Sequence, residues 1–225
     1  MNALILVIIL AIVEGITEFL PVSSTGHMIL VNKLIGGEYL SPTFTNSFLI
    51  IIQLGAILSV VVYFWKDLTP FVGTKEKFVL RFRLWVKIIV GVIPAMVIGL
   101  FLDDIIDKYF MDNVTTIAIT LIVYGIIFIA IEVIYKIKNV KARVRKFSEL
   151  KYGTAFLIGF FQCLAMIPGT SRSGATIIGA LLLGLSRPLA AEFSFYLAIP
   201  TMFGATALKL LKNGLAFTEM EWSYL

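Results

Sequence analysis

The stretch Glu14-Gly-Ile-Thr-Glu18-Phe-Leu-Pro21-Val-Ser23-Ser24-Thr25-Gly26-His27 decides how this chain is read. It sets two carboxylates, the hydroxyls of Ser23, Ser24 and Thr25, and the protein's single histidine between apolar runs, Ala3 to Val13 and Met28 to Leu34. Ionisable groups in such surroundings cost several kcal/mol each unless they are paired or hydrated. A surface loop does not have this composition, so the stretch calls for partners elsewhere in the chain.

The wider composition explains the setting. Of 225 residues, 59% are hydrophobic and 15% charged, with a mean hydropathy of +0.97. Soluble domains are closer to ~45–50% apolar and ~25% charged, so the chain reads as an all-α integral membrane protein. The net charge of +5 does not point to nucleic acid. The basic residues fall in short segments between apolar runs, the pattern of cytoplasmic loops. Cys163 stands alone in an apolar run and reads as a small buried hydrophobe. The N-terminal run has no basic n-region and leads into Glu14 and Glu18 rather than a cleavage site, so it is expected to be mature structure.

Working outward, residues 3–36 are apolar but broken at the centre by Pro21 and the Ser-Ser-Thr-Gly turn. Neither arm reaches the ~20 residues a full span needs, so a re-entrant hairpin is expected. Non-helical backbone is tolerated at that depth only inside protein or beside a wet cavity. Full spans are expected at about 43–64, 84–102 with a kink at Pro94, 114–135 and 188–211. The stretches Lys66–Lys87 and Lys136–Lys151 together hold 13 of the 19 Lys and Arg, while Asp103, Asp104, Asp107 and Asp112 follow the second span. The positive-inside rule puts the basic stretches in the cytoplasm and the acidic one outside.

Residues 152–187 repeat the interrupted pattern around Pro168-Gly-Thr-Ser-Arg172-Ser-Gly174, and this second hairpin enters from the opposite face. One membrane domain, 1–225, with repeats at about 1–147 and 148–225, is expected to have the inverted topology of transporters whose broken helices meet near the midplane. The second repeat then lacks counterparts of residues 84–135.

Glu14 and Glu18, spaced i and i+4, share a helix face. Two carboxylates in low dielectric need a divalent cation, a shared proton, backbone amides or water. The hydroxyls after Pro21 and the free N–H groups of the turn suit an anion. His27, three residues after Ser24, is expected within hydrogen-bond reach of it, and Ser–His with a nearby carboxylate suits nucleophilic attack. Arg172 cannot shed its proton and needs an anion, which Glu14, Glu18 or a substrate phosphate supplies. Ser171 and Ser173 offer donors to the same anion, and Gln162 is either a ligand-orienting amide or a helix–helix hydrogen bond. Gln53 and Glu192, polar residues within spans, carry weaker versions of the same signal. If the hairpins meet tip to tip, these groups surround one polar cavity suited to phosphoryl transfer.

Glu14 to His27 and Pro168 to Thr176 resemble the two signature motifs of the undecaprenyl-diphosphate phosphatase family, also called bacitracin-resistance proteins, and the likeness extends through Phe48–Trp65 and Glu192–Ala207. The resemblance implies hydrolysis of the C55 polyprenyl diphosphate to its monophosphate, recycling the cell-wall lipid carrier in the bacterial plasma membrane. It also implies a divalent cation (Mg2+ or Ca2+) at Glu14 and Glu18 and a site reached from the outer face. Carried onto this chain, the functional residues are Glu14, Glu18, Ser24, His27 and Arg172. Ser23, Thr25, Ser171, Ser173 and Gln162 are expected to contact phosphate or substrate. The family pattern continues through two further spans that residues 1–225 do not contain. The partners expected are the polyprenyl lipid, membrane lipids and a second copy in a homodimer; nucleic acid is not.

On this reading Ser24 attacks the terminal phosphorus and His27 takes its proton, while Arg172 neutralises the transferring group. In a second version a carboxylate-activated water attacks directly. The rival class is a lipid-phosphate flippase, which has the same topology and releases no phosphate.

Overall fold

Each apolar run forms a helix, and the prolines and glycines between them set the ends. A computed structural model describes residues 3–35, 41–109, 114–138, 140–213 and 217–224. The order is α1 (Ala3–Thr17), α2 (Ser24–Ile35), α3 (Pro42–Tyr63), α4 (Trp65–Leu68), α5 (Lys75–Tyr109), α6 (Val114–Ile137), α7 (Tyr152–Cys163), α8 (Arg172–Leu182), α9 (Arg187–Asn213) and α10 (Glu219–Trp222), with a 3-10 turn Leu164–Met166 after α7. Among the described residues there is no strand, only an isolated bridge between Val144 and Leu185. Four helices are long and apolar enough to cross a membrane: Phe44–Tyr63, Lys75–Leu102, Val114–Ile137 and Arg187–Leu211. This is an all-helical, multi-pass membrane protein.

The expected interrupted segments are two pairs of short helices. α1 and α2, of 15 and 12 residues, join through a turn at 18–23. α7 and α8, of 12 and 11 residues, join through 164–171. Pro21 explains the first break, because it disfavours helical backbone in the residue before it.

The second span differs from its expected bounds. α5 is 35 residues long, so Lys75, Lys77, Arg81, Arg83 and Lys87 lie on a helix rather than a loop. Lys, Arg and Glu are good helix formers, and nothing in Lys75–Lys87 breaks the helix. The same helix runs through Asp103, Asp104 and Asp107 at its other end, while Asp112 lies outside the described residues.

Two apolar cores hold the helices. Leu6, Leu10, Met28, Phe44, Phe48 and Ile117 form one around the first pair. Ile57, Ile88, Ile158, Phe193, Tyr196 and Leu197 form the other around the second. α3 belongs to both, one half in each. α5 crosses α7 at small residues, since a Cβ on Gly159 would fall 2.1 Å from the Gly91 carbonyl oxygen. Backbones approach this closely only where side chains are absent. α6 is the least covered: Ile117 is buried, while Ile119, Ile122, Ile126 and Ile129 are exposed, as a lipid-facing span requires.

Hydrogen bonds fix the basic end. Lys87 donates its Nζ to the Phe147 carbonyl at 2.6 Å, and Arg187 forks onto Glu132 at 3.0 and 2.8 Å. The Glu149 carboxylate accepts from the Arg145 and Lys146 amides at 2.8 and 3.3 Å. The Arg145 amide foremost holds that carboxyl below its ordinary pKa.

Candidate active site

The helix pairs deliver their turns to each other. α1 closes with the Glu18 amide donating to the Glu14 carbonyl at 2.9 Å, so Glu18 still sits one turn above Glu14. Ser23 then takes φ +65°, the left-handed region that a residue with a Cβ enters at a cost. That reversal starts α2 at Ser24. Two contacts brace it: the Gly26 amide donates to Ser23 Oγ at 3.3 Å, and His27 Nδ1 lies 2.8 Å from the Ser23 carbonyl oxygen.

The second turn is built with less strain. Its left-handed residue is Gly169, at φ +89°. Ser171 caps α8, its Oγ accepting from the Gly174 amide at 3.0 Å. Thr120 on α6 donates to the Pro168 carbonyl at 2.8 Å. Ser173 Oγ donates to the Leu20 carbonyl at 3.4 Å, and a Cβ on Gly26 would lie 3.4 Å from Gly169 Cα. The two tips are in contact.

Across that contact runs the central arrangement. Ser24 Oγ donates to Glu18 Oε2 at 2.5 Å, and Arg172 Nη2 donates to the other oxygen of the same carboxylate, Oε1. Arg172 Nη1 donates to the Ser194 carbonyl at 3.1 Å, whereas its Nε is buried without a partner. A guanidinium donor in that position is ready for an oxyanion. Glu18 and Arg172 are 8% and 11% exposed, so the ion pair gains little screening from water and depends on its geometry.

A cavity of about 550 Å³ opens beside these groups, with Glu18, Ser23, Ser24, Thr25, Ser171, Arg172 and Ser173 at its polar end. From there it runs along α5 and α9 between apolar side chains such as Met96, Leu100, Met202 and Leu208. The site thus joins a phosphate-sized polar tip to an apolar gallery.

The other expected residues separate into groups. Thr25 accepts from Gln53 Nε2 at 2.8 Å. Ser171 is occupied by its cap and by a 3.2 Å contact to Ser173 Oγ. Gln162 also lines the cavity, but its Nε2 donates to Thr201 Oγ1 at 3.2 Å and its Oε1 has no partner. Its free acceptor suits water, and one N–H of the amide is already spent on Thr201. His27 is not brought to Ser24: its Nδ1 faces its own backbone, and it is not among the residues lining the cavity. Glu14 likewise does not line the cavity, and both its carboxylate oxygens are buried and unpartnered.

Sequence reasoning did not single out Ser194, Thr176, Thr170 or Thr120. Thr176 and Ser194 share a 2.6 Å hydroxyl contact under Arg172. Thr170 lines the cavity with an unpartnered hydroxyl. For Thr120, Thr176 and Ser194 a hydroxyl among apolar neighbours is the main signal, Thr170 sits unremarked inside the second turn, and helical threonines such as Thr201 commonly bond their own backbone instead. Glu192, flagged as a polar residue in a span, accepts from Tyr196 at 2.6 Å, away from the cavity.

Among the described residues no three His, Cys, Asp or Glu side chains converge on a metal. The donor set nearest to one is the oxygen pair of Glu14, with Glu18 a turn away. These hard oxygens suit Mg2+ or Ca2+. The two Glu14 oxygens are buried and unpartnered but lie outside the cavity lining, while both oxygens of Glu18 are already engaged.

Comparison with known proteins agrees with the motifs. The family described as bacitracin resistance protein BacA matches residues 7–224. An undecaprenyl-diphosphatase of Fusobacterium nucleatum is 86% identical over 220 residues, covering 98% of this chain and 83% of the relative. Undecaprenyl-diphosphatase 1 of Clostridioides difficile is 56% identical over 217 residues, covering 96% of this chain and 77% of the relative. One from Acetivibrio thermocellus is 53% identical over 224 residues, covering 98% and 80%.

Proposed function

We infer, for a chain that belongs to the bacitracin resistance protein BacA family, the hydrolysis of undecaprenyl diphosphate to undecaprenyl phosphate and orthophosphate. In the cell this activity recycles the lipid carrier of wall synthesis and underlies bacitracin resistance. The observation that carries the chemistry is the chain of contacts from Ser24 through Glu18 to Arg172, with a free guanidinium donor at its end.

In the proposed reaction Ser24 Oγ attacks the terminal phosphorus as its proton passes to Glu18. The bond from that phosphorus to the bridging oxygen breaks, and undecaprenyl phosphate leaves. Water then attacks the phosphoserine. Glu18 returns its proton to Ser24 Oγ as that bond breaks, and the proton from water leaves with orthophosphate. Arg172 Nε–H and the Thr25 hydroxyl face the charge that builds on the transferring oxygens.

This division of labour moves the proton acceptor from His27 to Glu18, because Glu18 is the group that Ser24 touches. His27 instead supports the Ser23 reversal that aims Ser24. A divalent cation held by Glu14 would supply positive charge one helical turn behind Glu18. The apolar gallery takes the first isoprene units, and the remaining chain passes between helices into lipid.

The topology proposed keeps both basic stretches in the cytoplasm. The two short-helix pairs are then re-entrant, enter from opposite faces, and make an inverted repeat with seams at about 147 and 148. The cavity follows α9 from Pro200 to Leu211 and α5 from Val92 to Leu100, away from the basic end of α5 at Lys75–Lys87. Its mouth accordingly faces the outer side.

The test is phosphate release by the purified chain from undecaprenyl diphosphate labelled in its terminal phosphate, with rapid acid quench. The expected result is chelator-sensitive release and transient label on Ser24. Absence of release overturns the activity, and release without label on Ser24, with inversion at a chiral terminal phosphorus, overturns the covalent route.

A further inference from the structure

We propose that Gln53 is a positioning residue for this hydrolysis, fixing the Thr25 hydroxyl as a donor to the terminal phosphate. The proposal rests on the function proposed above.

Gln53 lies at the middle of α3, where the helix passes from one core to the other. Phe44, Phe48 and Leu49 precede it in the first core, and Ile57 and Val60 follow it in the second. It is 8% exposed. A buried carboxamide in a membrane span is costly unless something uses its hydrogen bonds. What uses this one is Thr25, whose Oγ1 accepts from Nε2 at 2.8 Å. Both side chains line the cavity with Ser24 and Arg172.

A hydroxyl has one proton and two lone pairs. With a lone pair occupied by Gln53, the Thr25 proton is directed to another acceptor, and phosphate oxygens are acceptors only. Donation into the hydroxyl also polarises it, strengthening what it donates. The second carboxamide on the cavity shows the contrast. Gln162 donates to Thr201, but Thr201 spends its own proton on the Leu197 carbonyl at 2.7 Å. That chain ends inside α9, whereas the one from Gln53 ends at the cavity.

Phosphate release by the purified chain gives the test, comparing Gln53→Met, Gln53→Glu, Thr25→Val and the Gln53→Met/Thr25→Val double variant. Gln53→Met is expected to lower kcat/KM by about 10- to 100-fold, the size of one hydrogen bond to a charged group. In the Thr25→Val background the same change should cost less than about 2-fold, because there is no hydroxyl left to orient. Gln53→Glu, nearly the same shape, should be at least as impaired as Gln53→Met, since a carboxylate takes the Thr25 proton for itself. Losses that multiply in the double variant, or a Gln53→Glu protein with wild-type activity, overturn the proposal. Should Gln53→Met lose its monodisperse elution from a sizing column, Gln53→Glu decides alone. A wild-type chain that releases no phosphate contradicts the proposed function instead, so the two failures are distinct.

Discussion

The turn between α1 and α2 holds a serine, Ser23, at positive φ, while the turn before α8 puts Gly169 there and caps the next helix with Ser171. The first turn carries Glu18 and leads into Ser24, the proposed nucleophile, with Glu14 one helical turn earlier; the second contributes one cation on a braced helix start. Strain is tolerated where the chemistry is and avoided where the partner only has to hold still. Ser23 has to turn the chain so that Ser24 Oγ reaches Glu18, and His27 helps keep it there. Gly169 has to let α6 come close, and a Cβ in its place would fall 2.1 Å from Thr120 Oγ1. The site is thus a strained reactive tip seated against a rigid anvil.

That contrast can be broken at several points. Removing the anvil's charge should do most. Arg172→Ala is expected to lower kcat/KM by on the order of 10³–10⁵, as loss of an arginine that stabilises transferring phosphate does. Arg172→Lys should recover little, because a compact ammonium lacks the planar fork whose separate nitrogens reach Glu18 and the Ser194 carbonyl and leave Nε for phosphate. Ser24→Ala comes next, with a loss of roughly 10²–10⁴ and no labelled protein in rapid-quench samples.

The rigid side is tested by stability. Gly169→Ala should cost about 2–4 kcal/mol, from positive φ and a steric clash together. A lowered melting temperature in detergent measures it. Gly15→Ala, in α1 before the strained turn, meets nothing within 4 Å and should not destabilise, gaining up to about 1 kcal/mol from helix propensity.

His27 gives the smallest and most discriminating effect. If it braces Ser23, then His27→Asn, which keeps a short donor, should retain about 10-fold more activity than His27→Ala. Equal, near-complete loss in both would return the proton-acceptor role to His27.

Much of this was legible in the sequence because membranes make polar residues conspicuous. Glu14, Glu18 and Arg172 stood out against apolar neighbours, and the reasoning that a buried arginine needs an anion put Glu18 among three candidate partners, of which the structure pairs it with Glu18. Periodicity and length gave the spans. What could not be read was direction. Residues 24 and 27 are close in sequence, so Ser24 and His27 looked like a pair, yet the reversal at Ser23 turns Nδ1 of the ring onto its own backbone. Gln162 was legible as a cavity amide, but which end it shows depends on Thr201, 39 residues away. The helix start at Lys75 was obscured by charge, since basic residues inside a helix and in a loop have the same composition. Ser194 and Thr176 gave almost no signal, because they act by supporting Arg172 rather than by being unusual.

The central claim is that the two turns act as one catalytic unit through Glu18 and Arg172. The most direct test is a double-mutant cycle in phosphate release with Glu18→Gln, Arg172→Met and both together. The account predicts that the double variant is no more impaired than the worse single one, within about 3-fold, as for groups that work as a unit. Losses that multiply across the two sites would show that the turns contribute independently, and would contradict it.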